Sequence, residues 1–271
     1  MTALQAALLG MVQGLTEFLP VSSSAHLLLG RAVFGIEPEG SLGLSFDVAC
    51  HTGTLLAVLL YFRRDIAELT QVLIAPRTWQ DPVSPVSALF RAMVFATLPV
   101  LVIGITAVDF ISGTLRTMAV AGASLALGAV AMLVAERVGA KVRDETTLGT
   151  WEAVAIGCGQ SMALIPGVSR SGAVLIIALL LGLRRDRAAR FAFLLGIPVI
   201  AAAASKAMFD LAVQGVPAGA LILFTIGIVS SAVVGYVAVR FFIQYVSKYS
   251  LDVFAAYRVL VAVVILFWSG S

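Results

Sequence analysis

The chain has 271 residues, of which 60% are hydrophobic and only 12% charged, with a formal net charge of +3 and a mean hydropathy of +1.03. Soluble domains carry about 25% charged residues, so the composition excludes an ordinary soluble domain, and nothing in it points to a nucleic-acid surface. The fold class it predicts is an all-α polytopic membrane protein, one membrane domain over 1–271, with room for roughly six to ten segments of ~20 residues.

In chain order, Met1–Gln5 lacks the basic residues that open a cleavable signal peptide, so residue 1 is expected to belong to the mature chain. Residues 3–19 and 24–36 are short apolar legs on either side of a polar tip, Gln13-Gly14-Leu15-Thr16-Glu17-Phe18-Leu19-Pro20-Val21-Ser22-Ser23-Ser24-Ala25-His26. Spans are expected at 44–62, 91–109 and 117–135. Residues 151–165 and 172–183 are again short legs, around Gln160-Ser161-Met162-Ala163-Leu164-Ile165-Pro166-Gly167-Val168-Ser169-Arg170-Ser171-Gly172. Three more spans follow at 191–209, 219–239 and 253–270. Legs of about 10–15 apolar residues are too short to cross a bilayer and read as re-entrant hairpins. The competing reading of the first pair is one long helix kinked at Pro20.

Basic residues gather at Arg63, Arg64, Arg77 and Arg91, at Arg137, Lys141 and Arg143, at Arg184, Arg185, Arg187 and Arg190, and at Arg240 and Lys248. These 13 of the 18 Lys and Arg residues are expected to be cytoplasmic. Linkers 37–43, 110–116 and 210–218 are then external. The second hairpin enters and leaves from the cytoplasm, and the first enters from outside with an external N-terminus. Each half becomes a hairpin plus three spans, about 1–140 and 148–271, in opposite orientation: an inverted-topology repeat. Glu37, Glu39, Asp109 and Asp210 read as solvated ends, and Lys206 and Arg258 as snorkelling side chains. The Arg184–Arg190 cluster mainly sets topology and is free to touch membrane lipid headgroups. Cys50 and Cys158 sit in apolar runs and read as buried thiols, not a disulfide framework.

The chemistry sits at the two tips, since ionisable groups inside membrane segments are costly and usually functional. Gln13 and Glu17 are four apart and share a helical face. Ser22, Ser23 and Ser24 cap the following helix, and His26 lies in its first turn. Glu17 reads either as a site carboxylate or as a structural partner of backbone donors, and His26 either as a site group or as a packing histidine. In the second tip, Pro166-Gly167 breaks the chain and Ser169, Arg170, Ser171 and Gly172 open a helix. Free N–H groups, hydroxyls and a guanidinium fork suit a phosphate. Arg170 reads equally as a structural partner of Glu17. Asp47 and His51, also four apart, form either a layer behind His26 or a metal, or a local Asp–His hydrogen bond.

These two segments closely resemble the signature regions of the bacterial undecaprenyl-diphosphate phosphatase family of the bacitracin-resistance type. The resemblance spans the chain, including Phe46-Asp47-Val48, His51-Thr52-Gly53-Thr54-Leu55 and the region of Pro198. It implies an integral hydrolase of the bacterial inner membrane, open to the extracytoplasmic side, that removes the terminal phosphate of a polyprenyl diphosphate lipid for cell-wall synthesis. It also implies a homodimer and a divalent cation, Mg²⁺ or Ca²⁺, held by Glu17 with Gln13. Glu17, Ser23, His26 and Arg170 are its catalytic residues, and Gln13, Ser22, Ser24, Gly167, Ser169, Ser171 and Gly172 bind substrate. Ser23 or His26 is the nucleophile, or His26 is the base for Ser23 or water. Gln13 stands where many members have Glu, and Val174 where many have Thr. The rival readings are a transporter or flippase of a phosphorylated lipid, and a diphosphate-sensing protein.

Overall fold

A computed structural model describes residues 1–36, 41–79, 81, 83–107, 111, 113–214 and 219–270. Among the described residues the chain forms helices and no strand. Glu37, Glu39, Asp109 and the side chain of Asp210, expected as solvated ends, lie outside the described residues.

Helix α1 (Ala3–Phe18) opens with a capping box, in which Thr2 Oγ1 accepts from the Gln5 amide at 3.2 Å and Gln5 Oε1 accepts from the Thr2 amide at 2.8 Å. It stops because Pro20 forces Leu19 into extended backbone. Ser22 then takes a positive φ of 73°, which reverses the chain into α2 (Ser23–Phe34). Leu27 and Gly30 of α2 fold back onto Leu9 of α1. Residues 3–34 therefore form a hairpin, not one kinked helix.

Helix α3 (Ser41–Tyr61) turns by 86° into α4 (Arg63–Ile74), an element absent from the sequence expectation. Its apolar residues Leu69 and Val72 are buried while Arg63 and Arg64 stay exposed, the pattern of a helix lying along an interface. Then come α5 (Pro85–Thr106), α6 (Met118–Val138), α7 (Thr150–Ser161), α8 (Arg170–Leu180), α9 (Arg185–Gln214), α10 (Ala220–Val246) and α11 (Asp252–Gly270). Among the described residues, α5, α6, Arg185–Lys206 of α9 and α10 are long and apolar enough to cross a membrane, and the bent pair α3–α4 makes a fifth candidate, against six expected spans. The sixth, 253–270, is α11, which packs along α6. Ile105, Leu127, Leu221 and Phe267 are 70–82% exposed, an outer surface suited to lipid and not to water. The chain is a multi-pass membrane protein.

Ion pairs gather the basic residues at one end. Arg190 bonds Asp65 and Glu145, Arg185 bonds Glu136, and Arg137 reaches Asp252 at 3.0 Å. Arg143 joins Glu152, in the first turn of α7, to the Leu181 carbonyl just after α8, at 2.7 and 3.0 Å. Both legs of the second hairpin thus open to this basic end. The first opens to the other end, because α1 runs alongside the N-terminal part of α10, whose C-terminus is at the basic end. Its backbone comes close: a Cβ on Gly14 would lie 2.6 Å from the Ser231 carbonyl oxygen. Gly157 of α7 meets α5 the same way, at 2.4 Å from the Ala96 carbonyl oxygen. Small residues at such crossings let membrane helices touch along their backbones.

Two sequence expectations need correction. Cys50 is buried, but Cys158 is exposed on α7, a helix whose packing among the described residues is mainly against α5 and α8. Lys206 holds an exposed position on α9. Arg258 does not snorkel: it is 1% exposed and donates to the carbonyls of Leu125, Pro20, Ser124 and Gly167 at 3.1–3.4 Å. Two of these carbonyls belong to the broken tips, which lack helical donors and have no water to turn to in a bilayer. Gly128 makes room, since a Cβ there would lie 1.9 Å from Arg258 Nη2. Arg258→Met should leave these carbonyls without donors and destabilise the fold by about 2–3 kcal/mol. Thermal melting of the detergent-solubilised variant tests this, and an unchanged midpoint would contradict it.

Candidate active site

The two hairpin tips touch. Gly167 N reaches Ser24 Oγ at 3.4 Å, and Ser171 Oγ donates to the Leu19 carbonyl at 3.3 Å. Gly167 is required here twice: its φ is +88°, and a Cβ would lie 2.2 Å from the Ala121 carbonyl oxygen. Ser169 caps α8, its Oγ accepting from the Gly172 amide at 3.1 Å and contacting Ser171 Oγ at 3.1 Å. Ser22 Oγ contacts Ser24 Oγ at 3.1 Å.

Glu17 is the hub. Its Oε2 accepts from Gln13 Nε2 at 3.0 Å and from Ser23 Oγ at 2.7 Å, and its Oε1 accepts from Arg170 Nη2 at 3.1 Å. The other Arg170 terminal nitrogen, Nη1, is buried without a hydrogen-bond partner. Gly196 of α9 leaves the space for this guanidinium, since a Cβ there would lie 1.5 Å from Nη1. Any larger residue at 196 would displace Arg170.

The two histidines sit differently from the sequence expectation. His51 Nδ1 donates to the backbone carbonyl of Asp47 at 2.8 Å, and its Nε2 comes within 3.5 Å of Glu17 Oε2. The Asp47 carboxylate turns instead to Arg31, with Arg116 at 3.5 Å. So Asp47 and His51 share no side-chain bond, and His51 meets the hub directly rather than standing behind His26. His26 Nδ1 donates to the Ser22 carbonyl at 2.7 Å, while Nε2 is 2.8 Å from Tyr257 Oη, the two rings stacked at 5.6 Å. Both its nitrogens are occupied away from Ser23.

Both tips and the middles of α5 and α9 enclose a cleft of about 180 Å³. Its polar wall is Glu17, Ser22–Ser24, His51, Gln160, Ser169 and Arg170, and its apolar wall includes Val100, Val199 and Ile200. A larger cleft of about 380 Å³ lies at the basic end, but its Arg187 and Arg190 are committed to Asp144, Asp65 and Glu145. The smaller one alone combines a hydroxyl bonded to a carboxylate with a half-used guanidinium. The structure thus gathers Gln13, Glu17, Ser22, Ser23, Ser24, His51, Ser169, Arg170 and Ser171 and leaves the His26 ring turned toward α11. Sequence reasoning missed Gly196 and Tyr257 and read Arg258 as a snorkelling side chain; none of the three carries a local motif.

Among the described residues no group of three or more His, Cys, Asp or Glu side chains is placed to hold a metal ion. Glu17 and Gln13 provide one carboxylate and one amide. That donor set does not make a resident metal centre, but it fits a hard cation that also takes oxygens from a bound phosphate.

The family profile described as "Bacitracin resistance protein BacA" matches residues 6–264. A relative from Rubrobacter xylanophilus named undecaprenyl-diphosphatase is 46% identical over 263 residues, 97% of this chain and 96% of its own. Relatives with the same name from Desulforudis audaxviator and Moorella thermoacetica are 41% and 38% identical, covering 98% and 99% of this chain and 97% and 99% of their own. On this match along nearly its whole length, the chain belongs to the bacitracin resistance protein BacA family.

Proposed function

We propose that this protein hydrolyses undecaprenyl diphosphate to undecaprenyl phosphate and inorganic phosphate. The observation that carries the reading is the pairing, in one cleft, of a serine hydroxyl 2.7 Å from a carboxylate with a guanidinium that has a buried nitrogen to spare. A transporter needs the second feature but not the first.

Arg170, with Ser169 and the N-terminus of α8, binds the terminal phosphoryl group, because a fixed fork and free amides match its oxygens. Ser23 Oγ attacks phosphorus as Glu17 takes its proton. The phosphoanhydride bond breaks, and undecaprenyl phosphate leaves with the electron pair. The departing phosphate oxygen takes the proton back from Glu17. Water then attacks the phosphorus on Ser23, Glu17 takes its proton and passes it to Ser23 Oγ as that P–O bond breaks, and inorganic phosphate is released. Direct attack by water would use the same base. His26, held by Tyr257 and the Ser22 carbonyl, positions the serine turn. Glu17, with Gln13 assisting, would hold a divalent cation, which would supply neutralisation of phosphate charge when bound. Catalysis rests on positioning and charge.

The experiment is phosphate release by purified protein, with and without EDTA, beside Arg170→Ala and Glu17→Gln. Each substitution should cost about 10²-fold or more in kcat/KM, and EDTA should abolish release. A folded Arg170→Ala protein with full turnover would remove the assignment.

Two finer points belong to the same reading. The protein sits in the bacterial inner membrane with the basic end in the cytoplasm and the cleft facing the other side. In support, Val199 lies 14 residues beyond Arg185, the first residue of α9, which is about 21 Å along a helix and past the middle of a ~30 Å core. With Cys158→Ser as background, Lys248→Cys should stay unlabelled when intact cells meet an impermeant maleimide, and labelling would reverse the orientation. The homodimer rests on the family resemblance, and cross-linking in native membranes should trap a pair of chains. A monomer at every cross-linker concentration would end that part of the reading.

A further inference from the structure

Gln160 is the aligned counterpart of Gln13, each lying near the end of its hairpin's first leg, yet their surroundings differ. Gln13 meets a carboxylate four residues on, Glu17, and donates to it at 3.0 Å. The residue four beyond Gln160 is Leu164, which offers nothing polar. Gln160 is 1% exposed, and neither its Nε2 nor its Oε1 has a hydrogen-bond partner among the described residues. It lines the same cleft as Arg170, whose Nη1 is also buried and unpartnered. A buried amide with both atoms unbonded is unfavourable for folding. Two such groups on residues that line one cleft have the chemistry of a phosphate site: two donors, and an acceptor for a proton.

We propose that Gln160 is a substrate-contacting residue of this cleft. Its Nε2 donates to a non-bridging oxygen of the terminal phosphoryl group beside Arg170. Its Oε1 accepts from a hydroxyl on that group or from the water that later attacks Ser23-bound phosphate. An amide orients such a water without taking its proton, so Gln160 complements Glu17 rather than replacing it. The inference rests on the phosphatase reading of the cleft.

The test compares wild type, Gln160→Met, Gln160→Glu and Arg170→Ala, all full-length in detergent. The readouts are kcat and KM for undecaprenyl diphosphate, melting temperature, and the shift in melting caused by inorganic phosphate. Gln160→Met keeps the length and removes the unbonded amide. It should melt at or above wild type, lose most of the phosphate-induced shift, and drop about 10- to 100-fold in kcat/KM, mainly through KM. Gln160→Glu keeps the shape and adds a negative charge, so it should fall further while still folding. If Gln160→Met stays within twofold of wild type while Arg170→Ala is inactive, the inference fails and the phosphatase reading stands. If both variants hydrolyse normally, the reading of the cleft fails and takes the inference with it. If Gln160→Met melts early and Gln160→Glu works normally, Gln160 is a packing residue.

Discussion

A carboxylate and a guanidinium held between helices in hydrocarbon must satisfy each other, and the pair Glu17–Arg170 does so across two separately broken hairpins. Each side chain is largely buried, 6% and 12% exposed, so solvent cannot share the task. The pair fixes where the tips must be, and much of the surrounding structure follows from that. The hairpins enter from opposite ends, α1 and α7 run on glycines against α10 and α5, and Gly196 stays bare so that Arg170 can extend. Breaking two helices at the same depth also exposes main-chain carbonyls, and Arg258 answers these with donors rather than with an ion pair. Two arginines therefore divide one problem: Arg170 balances charge and Arg258 balances backbone.

Much of this was legible in the residues, for physical reasons that can be named. Legs too short to cross a bilayer, each ended by a proline and followed by serines, have few ways to fold other than as hairpins. The basic clusters assign the ends, and Arg143 does bridge the start of α7 to the end of α8. The pairing of Glu17 with Arg170 is one of the two readings the residues allow, and it is the bond formed, leaving the other guanidinium nitrogen without a hydrogen-bond partner.

What was not legible depended on distance or rotation. An arginine in an apolar helix reads the same whether it snorkels or is buried, and only the fold shows four carbonyls around Arg258. Asp47 and His51 at i, i+4 suggest a side-chain bond, but in a helix that spacing also brings the ring nitrogen to the carbonyl of residue i, which is the bond formed. The ring is thereby turned so that Nε2 faces Glu17. The bend after Tyr61 was hidden because Arg63 and Arg64 mark an interface equally well in a loop or in a helix. The apolar spacing of Ile66, Leu69 and Val72 is the signal that would have found α4.

Charge at the tips constrains the chemistry further. Glu17 contributes −1, and Arg170 and Arg258 contribute +1 each, the latter turned toward backbone. A terminal phosphoryl group alone brings about −1.5 to −2 at neutral pH, and a diphosphate more. On the phosphatase reading, the occupied cleft would therefore carry net negative charge in a low-dielectric setting, where such an excess is severely unfavourable. On that same reading the missing positive charge would come with the substrate, as a cation that Glu17 and Gln13 could help to hold. The same balance gives the proposed role of Gln160 its place: beside so much negative charge, a neutral amide adds a phosphate contact without altering the balance that Glu17 and Arg170 set.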